Sequence, residues 1–288
     1  MQATVNKAII YLTQESDDDF FSDVANVGCD NELIIVLRAF FDESERPSGI
    51  FCVAGFAFQK RASRMFKRDW LRLFGSSGAH MADLVAGRQQ FKGMSREQRD
   101  SLIRKAVPII KKHITAGVAI TCNVHEVRRL SPRWIRGYGH AYPVCCHLAM
   151  YALGNWLRDS GSPERVTYIF EAGHRFEAEA NGFMGNVVRA AMLKEAFRYH
   201  GHAFLPKSDA IPLQAADFLA WEWAKFRDET LEQRIRPMRG SLLALFSDDV
   251  KKLSGAHVTG PPLVKYMAQI RQLGLEQIKE ERQKGLPI

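Results

Sequence analysis

The hydrophobic pattern changes its period several times along the chain, and each change marks an expected element. Residues 33–40 (LIIVLRAF) form an apolar run broken only by Arg38, and residues 50–58 (IFCVAGFAF) form a second, with the turn-rich ERPSG between them. Together they predict a buried β-hairpin. From Gln59 the spacing becomes helical: Lys60, Arg64, Lys67, Arg68 and Arg72 make a basic stripe, while Met65, Phe66, Trp70 and Phe74 point elsewhere. Residues 95–114 open with Ser95 and, three residues on, Gln98, a capping-box pattern, and predict another helix with a bend at Pro108. Further on, the pattern predicts strands over 117–124, 166–170 and 200–205, and helices over 140–159, 178–194 and 213–227. Such alternation implies a mixed sheet covered by helices.

This ordering divides the chain into three expected parts. Residues 1–30 are acidic (ESDDD) with no matched hydrophobic face and read as an arm, partly disordered. Residues 31–228 hold the α/β unit, with a helical insert at about 60–114 after the first hairpin. Residues 229–288 read as a charged, helical C-terminal extension that mediates assembly or forms a lid.

Some acids sit where the pattern is otherwise apolar. A period of two places Leu33, Ile35, Leu37, Ala39 and Phe41 on one face of the first strand, and Ile34, Val36, Arg38, Phe40 and Asp42 on the other. Two largely apolar faces imply a central strand covered on both sides. Asp42 therefore leaves the sheet on a buried face, although an acid at a strand end is also a common turn residue, and Arg38 is available to pair with it. Glu171, sharing a face with Thr167 and Ile169, carries the same two readings. Asp217 is harder to dismiss: in LQAADFLAWEWAKF it sits with Gln214 on a narrow polar stripe beside the apolar face of Leu213, Ala216, Leu219, Ala220 and Trp223. A carboxylate among such neighbours is desolvated, at a cost that a cation or hydrogen bonds must offset. Three acids from two strand ends and a following helix form a hard oxygen donor set that suits Mg²⁺ or Mn²⁺ and not zinc. Their separate rigid elements are what a two-metal phosphoryl-transfer site needs.

Composition narrows the partners. The net charge of +8 and pI near 9.3 favour a polyanionic partner. Arg128, Arg129, Arg133, Trp134 and Arg136 interleave cations and an aromatic in RRLSPRWIRGYG, a composition suited to phosphate contact and base stacking or simply to a basic surface loop. Five cysteines, odd in number, and no CxxC pair argue against a disulfide framework or a structural zinc site and fit a reducing, cytoplasmic setting. No apolar run reaches the roughly 18 residues a membrane span needs. No GxxxxGK[ST], GxGxxG or GxSxG motif occurs.

The stretches FFDES (40–44), HMADLVAGRQQFKGMS (80–95), YIFEAG (168–173) and KSDAIPLQAADFLAWE (207–222) resemble the family catalogued as domain of unknown function 3800, over about residues 33–227. The resemblance implies an RNase H-like fold, with a five-stranded mixed sheet flanked by helices. It implies Asp42 as the carboxylate bridging two ions, with Glu171 and Asp217 completing the metal set. Asp83 becomes a candidate fourth ligand or substrate contact and His80 a candidate acid/base or phosphate contact, the alternative being a helix cap with a surface histidine. Gln214, Glu43 and Glu222 would support the ligands from behind, although Glu222 lies on a different helical face from Asp217. Lys207 joins the arginines as a candidate nucleic-acid contact. The activity expected is a metal-dependent phosphodiesterase on DNA or RNA, in mobile-element or defence biology. Its rivals are a silent binding or interaction module, a transposase- or resolvase-like strand-transfer enzyme, and a hydrolase of a small phosphorylated molecule.

Overall fold

In a computed structural model of the chain, residues 36–130, 139–189, 191–231, 237–247 and 253–269 are described. The acidic arm expected over 1–30, Arg133, Trp134 and Arg136 of the basic loop, and the tail from 270 lie outside them.

One sheet of six strands organises the rest: β1 (Val36–Glu45), β2 (Ile50–Phe58), β3 (Ile114–Asn123), β4 (Arg165–Glu171), β5 (Tyr199–Leu205) and β6 (Leu253–His257), in the order β5-β4-β1-β2-β3-β6. β2 runs antiparallel to β1 and β3, while β4 is parallel to β1, β5 to β4, and β6 to β3. This is the mixed α/β sheet covered by helices that the sequence implies, with six strands where five were expected. The added strand is β6: the extension from 229 is not helical throughout, because its residues 253–257 complete the edge of β3.

The helices cover both faces. α1 (Lys60–Phe74), α2 (Met81–Ala86), α3 (Arg96–His113), α8 (Pro212–Leu231) and α9 (Gly240–Phe246) contribute to a core around Phe40, Phe56 and Phe58. α4 (Val124–Leu130), α5 (Ala141–Asp159), α6 (Glu177–Arg189) and a helical stretch over 260–269 pack on the other face, around Leu37, Phe41 and Tyr168; α7 (Ala191–Ala196) lies between α6 and β5. The expected insert at 60–114 is thus part of one of the two covering layers. Its α1 buries Ser63, Phe66, Trp70 and Phe74 at helical spacing and leaves Lys60, Arg64, Lys67, Arg68 and Arg72 to solvent. The capping box forms as expected, with Ser95 Oγ accepting from the Gln98 backbone and the Gln98 side chain accepting from the Ser95 N–H. α3 continues through Pro108 and passes directly into β3. The single helix expected over 178–194 is two, α6 and α7.

Both faces of β2 are buried along its whole length. Among the described residues, no helix is long and apolar enough to cross a membrane. Cys52, Cys122, Cys145 and Cys146 are buried free thiols that pack in the two cores.

Candidate active site

β1 extends to Glu45, so Asp42 lies within the strand and not at its end, as the shorter apolar run had implied. The β1–β4 register pairs Phe41 with Phe170, so the next step sets Asp42 beside Glu171. Glu171 in turn pairs with Leu205 at the end of β5, and Lys207 follows two residues later. Three parallel strands therefore end side by side, and it is outside the carboxyl ends of such strands that α/β sheets place their ligands. α8 crosses this end of β1 and β2 on the face that also carries Phe40. Ala215 and Ala220 lie buried in the same layer, and this small-residue face lets the helix approach closely enough for Asp217 to reach the strands.

The carboxylates converge on one ammonium. Lys207 Nζ lies 2.7 Å from Asp42 Oδ2, 2.8 Å from Glu171 Oε2 and 3.5 Å from Asp217 Oδ1. Asp42, Glu43 and Glu171 also each offer an oxygen within 4.8 Å of the other two, the spacing of a metal-binding cluster. Asp42 and Glu43 leave β1 on opposite faces, Asp42 toward the α8 layer and Glu43 toward Tyr142 and Cys146 of α5, while Glu171 at the strand end reaches both. Glu43, placed behind the ligands by the sequence reading, is a member of the cluster itself.

Crowding sets the charges. Burial, together with the Asp217 charge and the Glu171 carboxyl, pushes Asp42 well above the ordinary carboxylate range against the pull of Lys207. Burial and the Glu171 charge push Glu43 up to about 7. Burial also works to raise Asp217, but the hydrogen bond from His80, the Lys207 charge and the Met81 N–H outweigh it and hold Asp217 below its usual value. Lys207 is raised: burial works to lower it, and the Asp42 and Asp217 charges outweigh that. Glu43 Oε2 is buried with no hydrogen-bond partner among the described residues. An orphaned carboxylate oxygen beside two further carboxylates, with two of the three pKa values raised, is a donor set short of positive charge. A hard divalent cation fits it.

The HMAD segment approaches from the other side. Asp217 Oδ2 is 2.9 Å from His80 Nδ1 and accepts from the Met81 N–H at 2.5 Å. His80 is the residue capping α2, as the helix-cap reading had it, yet its side chain makes no cap hydrogen bond and turns to Asp217 instead. That hydrogen bond raises the imidazole above its ordinary value, with burial opposing. Gln214 positions this loop: its Oε1 accepts from Trp70 Nε1 at 2.8 Å and from the Ala79 N–H at 2.7 Å. Gly78, at φ +68°, lies so close to the Gln214 amide that a Cβ there would overlap it.

Three expected site residues are placed elsewhere or used differently. Asp83 is paired with Arg88 at 2.9 Å and does not join the cluster. Glu222 is fully buried against Ser241 and Arg239 at the start of α9, because its helical face points away from Asp217. Lys207, expected to contact nucleic acid, has its ammonium taken up by the carboxylates. Arg128 and Arg129 are exposed on α4.

No family model matches the chain, and no curated protein matches it. Among solved structures, the chain is similar to Bst RNase HIII in complex with Mn²⁺, at 13% identity and TM-score 0.38 over 69% of this chain and 56% of that one. It is also similar to the RNase HII of Archaeoglobus fulgidus in its complex with PCNA, at 12% identity and TM-score 0.37 over 74% of this chain and 82% of that one. The chain thus spans little more than half the length of the first. Fold and site together define a mixed α/β protein with a carboxylate–lysine centre at the carboxyl ends of β1, β4 and β5.

Proposed function

We propose that the protein is a divalent-metal-dependent phosphodiesterase acting on nucleic acid, with Mg²⁺ or Mn²⁺ held by Asp42, Glu43 and Glu171. The observation that carries this reading is the convergence of those carboxylates, two of them with raised pKa values and one with an orphaned oxygen, at a strand-end rim. A divalent ion held by Asp42, Glu43 and Glu171 would supply Lewis-acid chemistry there. The chain's own groups supply the rest. Half-exposed His80, held by Asp217, is oriented to pass a proton to or from a phosphate ester oxygen. Gln214 keeps its loop docked on α8.

The rim beside the acids carries several cations, most of them paired with carboxylates: Arg175 with Glu45, Arg46 with Asp228, Lys225 with Glu229 and Arg239 with Glu222. On the α5 side, Arg128 and Arg175 line a cavity of about 320 Å³ with His125, His140 and His174. On the α8 side, Trp221 lies one helical turn beyond Asp217 and carries Arg46, Lys225 and Arg239 over its ring at 5.0–5.9 Å. Arg128 and Arg175, both exposed, support a polyanionic substrate, since such side chains position a phosphodiester backbone.

Replacing Asp42 with Asn tests the reading, since the amide keeps the volume and removes a central ligand charge. The variant should keep the wild-type circular dichroism spectrum and lose Mn²⁺-dependent cleavage of single- and double-stranded DNA and RNA. Cleavage at the wild-type rate in Asp42→Asn would end it.

A further inference from the structure

We propose that Lys207 permanently holds one of the two cation positions of the centre, so that the site takes a single divalent ion, between Asp42, Glu43 and Glu171. The inference rests on the metal-dependent reading above and departs from the two-metal arrangement that the three-acid set of Asp42, Glu171 and Asp217 would otherwise imply.

The space a second ion would need is already filled. A metal bridging Asp42, Glu171 and Asp217 has to sit within a few ångströms of one oxygen from each, and the Lys207 ammonium occupies that point, at 2.7, 2.8 and 3.5 Å. A dication and an ammonium cannot share the same oxygens, because their mutual repulsion is greatest in a buried site. Lys207 is also tethered close by. It follows Leu205, the partner of Glu171, and Pro206, whose carbonyl accepts from the Asp209 N–H at 3.0 Å in the turn leading to α8. The side chain is only 19% exposed, so withdrawing the ammonium would return a charge to solvent while leaving the carboxylates unneutralised.

Asp217 is committed on the same side. Its Oδ2 serves His80 and the Met81 N–H, and its Oδ1 faces Lys207. Both oxygens are used, and Asp217 is not among the acids whose oxygens lie together, so it acts as a positioning residue for Lys207 and His80 and not as a metal ligand. Glu43 has the opposite accounting: it projects to the other face of the sheet from Asp42, and its Oε2 has no hydrogen-bond partner among the described residues. The ligand set passes from the α8 side of the strand to the α5 side, with Asp42 and Glu171 common to both cations.

The test is metal stoichiometry on the full chain, read by calorimetric titration with MnCl₂ and by electron paramagnetic resonance of the bound Mn²⁺. The wild type should bind one Mn²⁺ per chain with the spectrum of an isolated ion. Lys207→Ala and the stem-retaining Lys207→Met should each bind a second Mn²⁺ at the vacated position, with the line broadening of a coupled pair. Asp217→Asn should leave the wild-type stoichiometry at one, and Glu43→Gln should weaken that ion at least tenfold. Two coupled ions in the wild type would overturn the proposal while leaving the metal-dependent reading in place, and so would a single ion of unchanged affinity in both lysine variants. No bound Mn²⁺ in the wild type would overturn the metal-dependent reading itself, and this inference with it.

Discussion

Glu43→Gln should make the metal-free protein more stable at neutral pH, and bound metal should nearly erase that advantage. Glu43 ionises in the folded chain at about 7 against an ordinary 4.5, because it is buried and faces Glu171. A folded pKa raised above the unfolded one means that the unfolded chain gives up its proton first. The resulting penalty on the fold is absent below about pH 4.5, grows by about 1.4 kcal/mol per pH unit, and is complete near pH 7, at roughly 3 kcal/mol. Glutamine keeps the volume and never ionises, so it escapes the penalty. Urea unfolding in EDTA should therefore show the variant and the wild type nearly equal at pH 5 and the variant more stable by about 3 kcal/mol at pH 8. Comparing the two proteins at each pH cancels the titration of groups that Glu43 does not touch; its neighbour Asp42, relieved of the Glu43 charge, shifts in the same stabilising direction. Adding Mn²⁺ at a hundred times its dissociation constant should raise the wild type by about 2.7 kcal/mol and the variant by much less. A variant less stable than the wild type at pH 8 in EDTA, or a gap that does not widen with pH, would refute the reasoning.

Gln214→Leu removes the acceptor shared by Trp70 Nε1 and the Ala79 N–H, leaving two buried donors unpaired at a cost of about 1–3 kcal/mol each. Thermal unfolding should register that loss, and nuclease assays should show a fall in kcat beyond what a fully folded population explains, because the loop carrying His80 is released from α8. His147 is buried among Phe183, Phe197 and Tyr266, and burial pulls its pKa down to about 3. Its folded pKa is depressed, so its contribution to stability is intact above about pH 6.5 and is lost as the pH falls toward 3, at about 1.4 kcal/mol per unit. Denaturant unfolding at pH 6.5 and at pH 5 should show the wild type losing stability relative to His147→Phe at this slope, a comparison in which the opposing titration of Glu43 drops out; a constant difference would exclude His147 as its source.

The parts of this protein legible in its sequence are those where polarity conflicts with period. Asp42 and Asp217 declare themselves because their neighbours on the same strand or helix face are apolar, and such a carboxylate needs a partner wherever the chain folds. Glu171 is legible only as one of a set. What the sequence does not show is which partner arrives. Lys207 sits in a turn with no periodic environment, and the destination of its four-carbon stem is decided by the β4–β5 register and the crossing of α8, both of which join residues far apart in the chain. β6 escapes for a related reason: LSGAH has neither alternation nor β-branched residues, and it is a strand because the open edge of β3 supplies hydrogen-bond partners.

Charge accounting then links the legible acids to the hidden cation. Asp42, Glu43, Glu171 and Asp217 place four carboxylates at one rim, and the structure sets against them one ammonium and one imidazole whose pKa is raised. With all four acids ionised, as ligation of an ion requires, and His80 protonated, two negative charges remain, and a single divalent ion neutralises them. Two ions would leave the centre doubly positive with Lys207 still inside it, a state that a buried site strongly disfavours. A phosphodiester entering a neutral centre past exposed Arg128 and Arg175 meets no net repulsion from the acids. Removing the Lys207 charge should therefore do more than vacate a position: it changes how many ions the same four acids require.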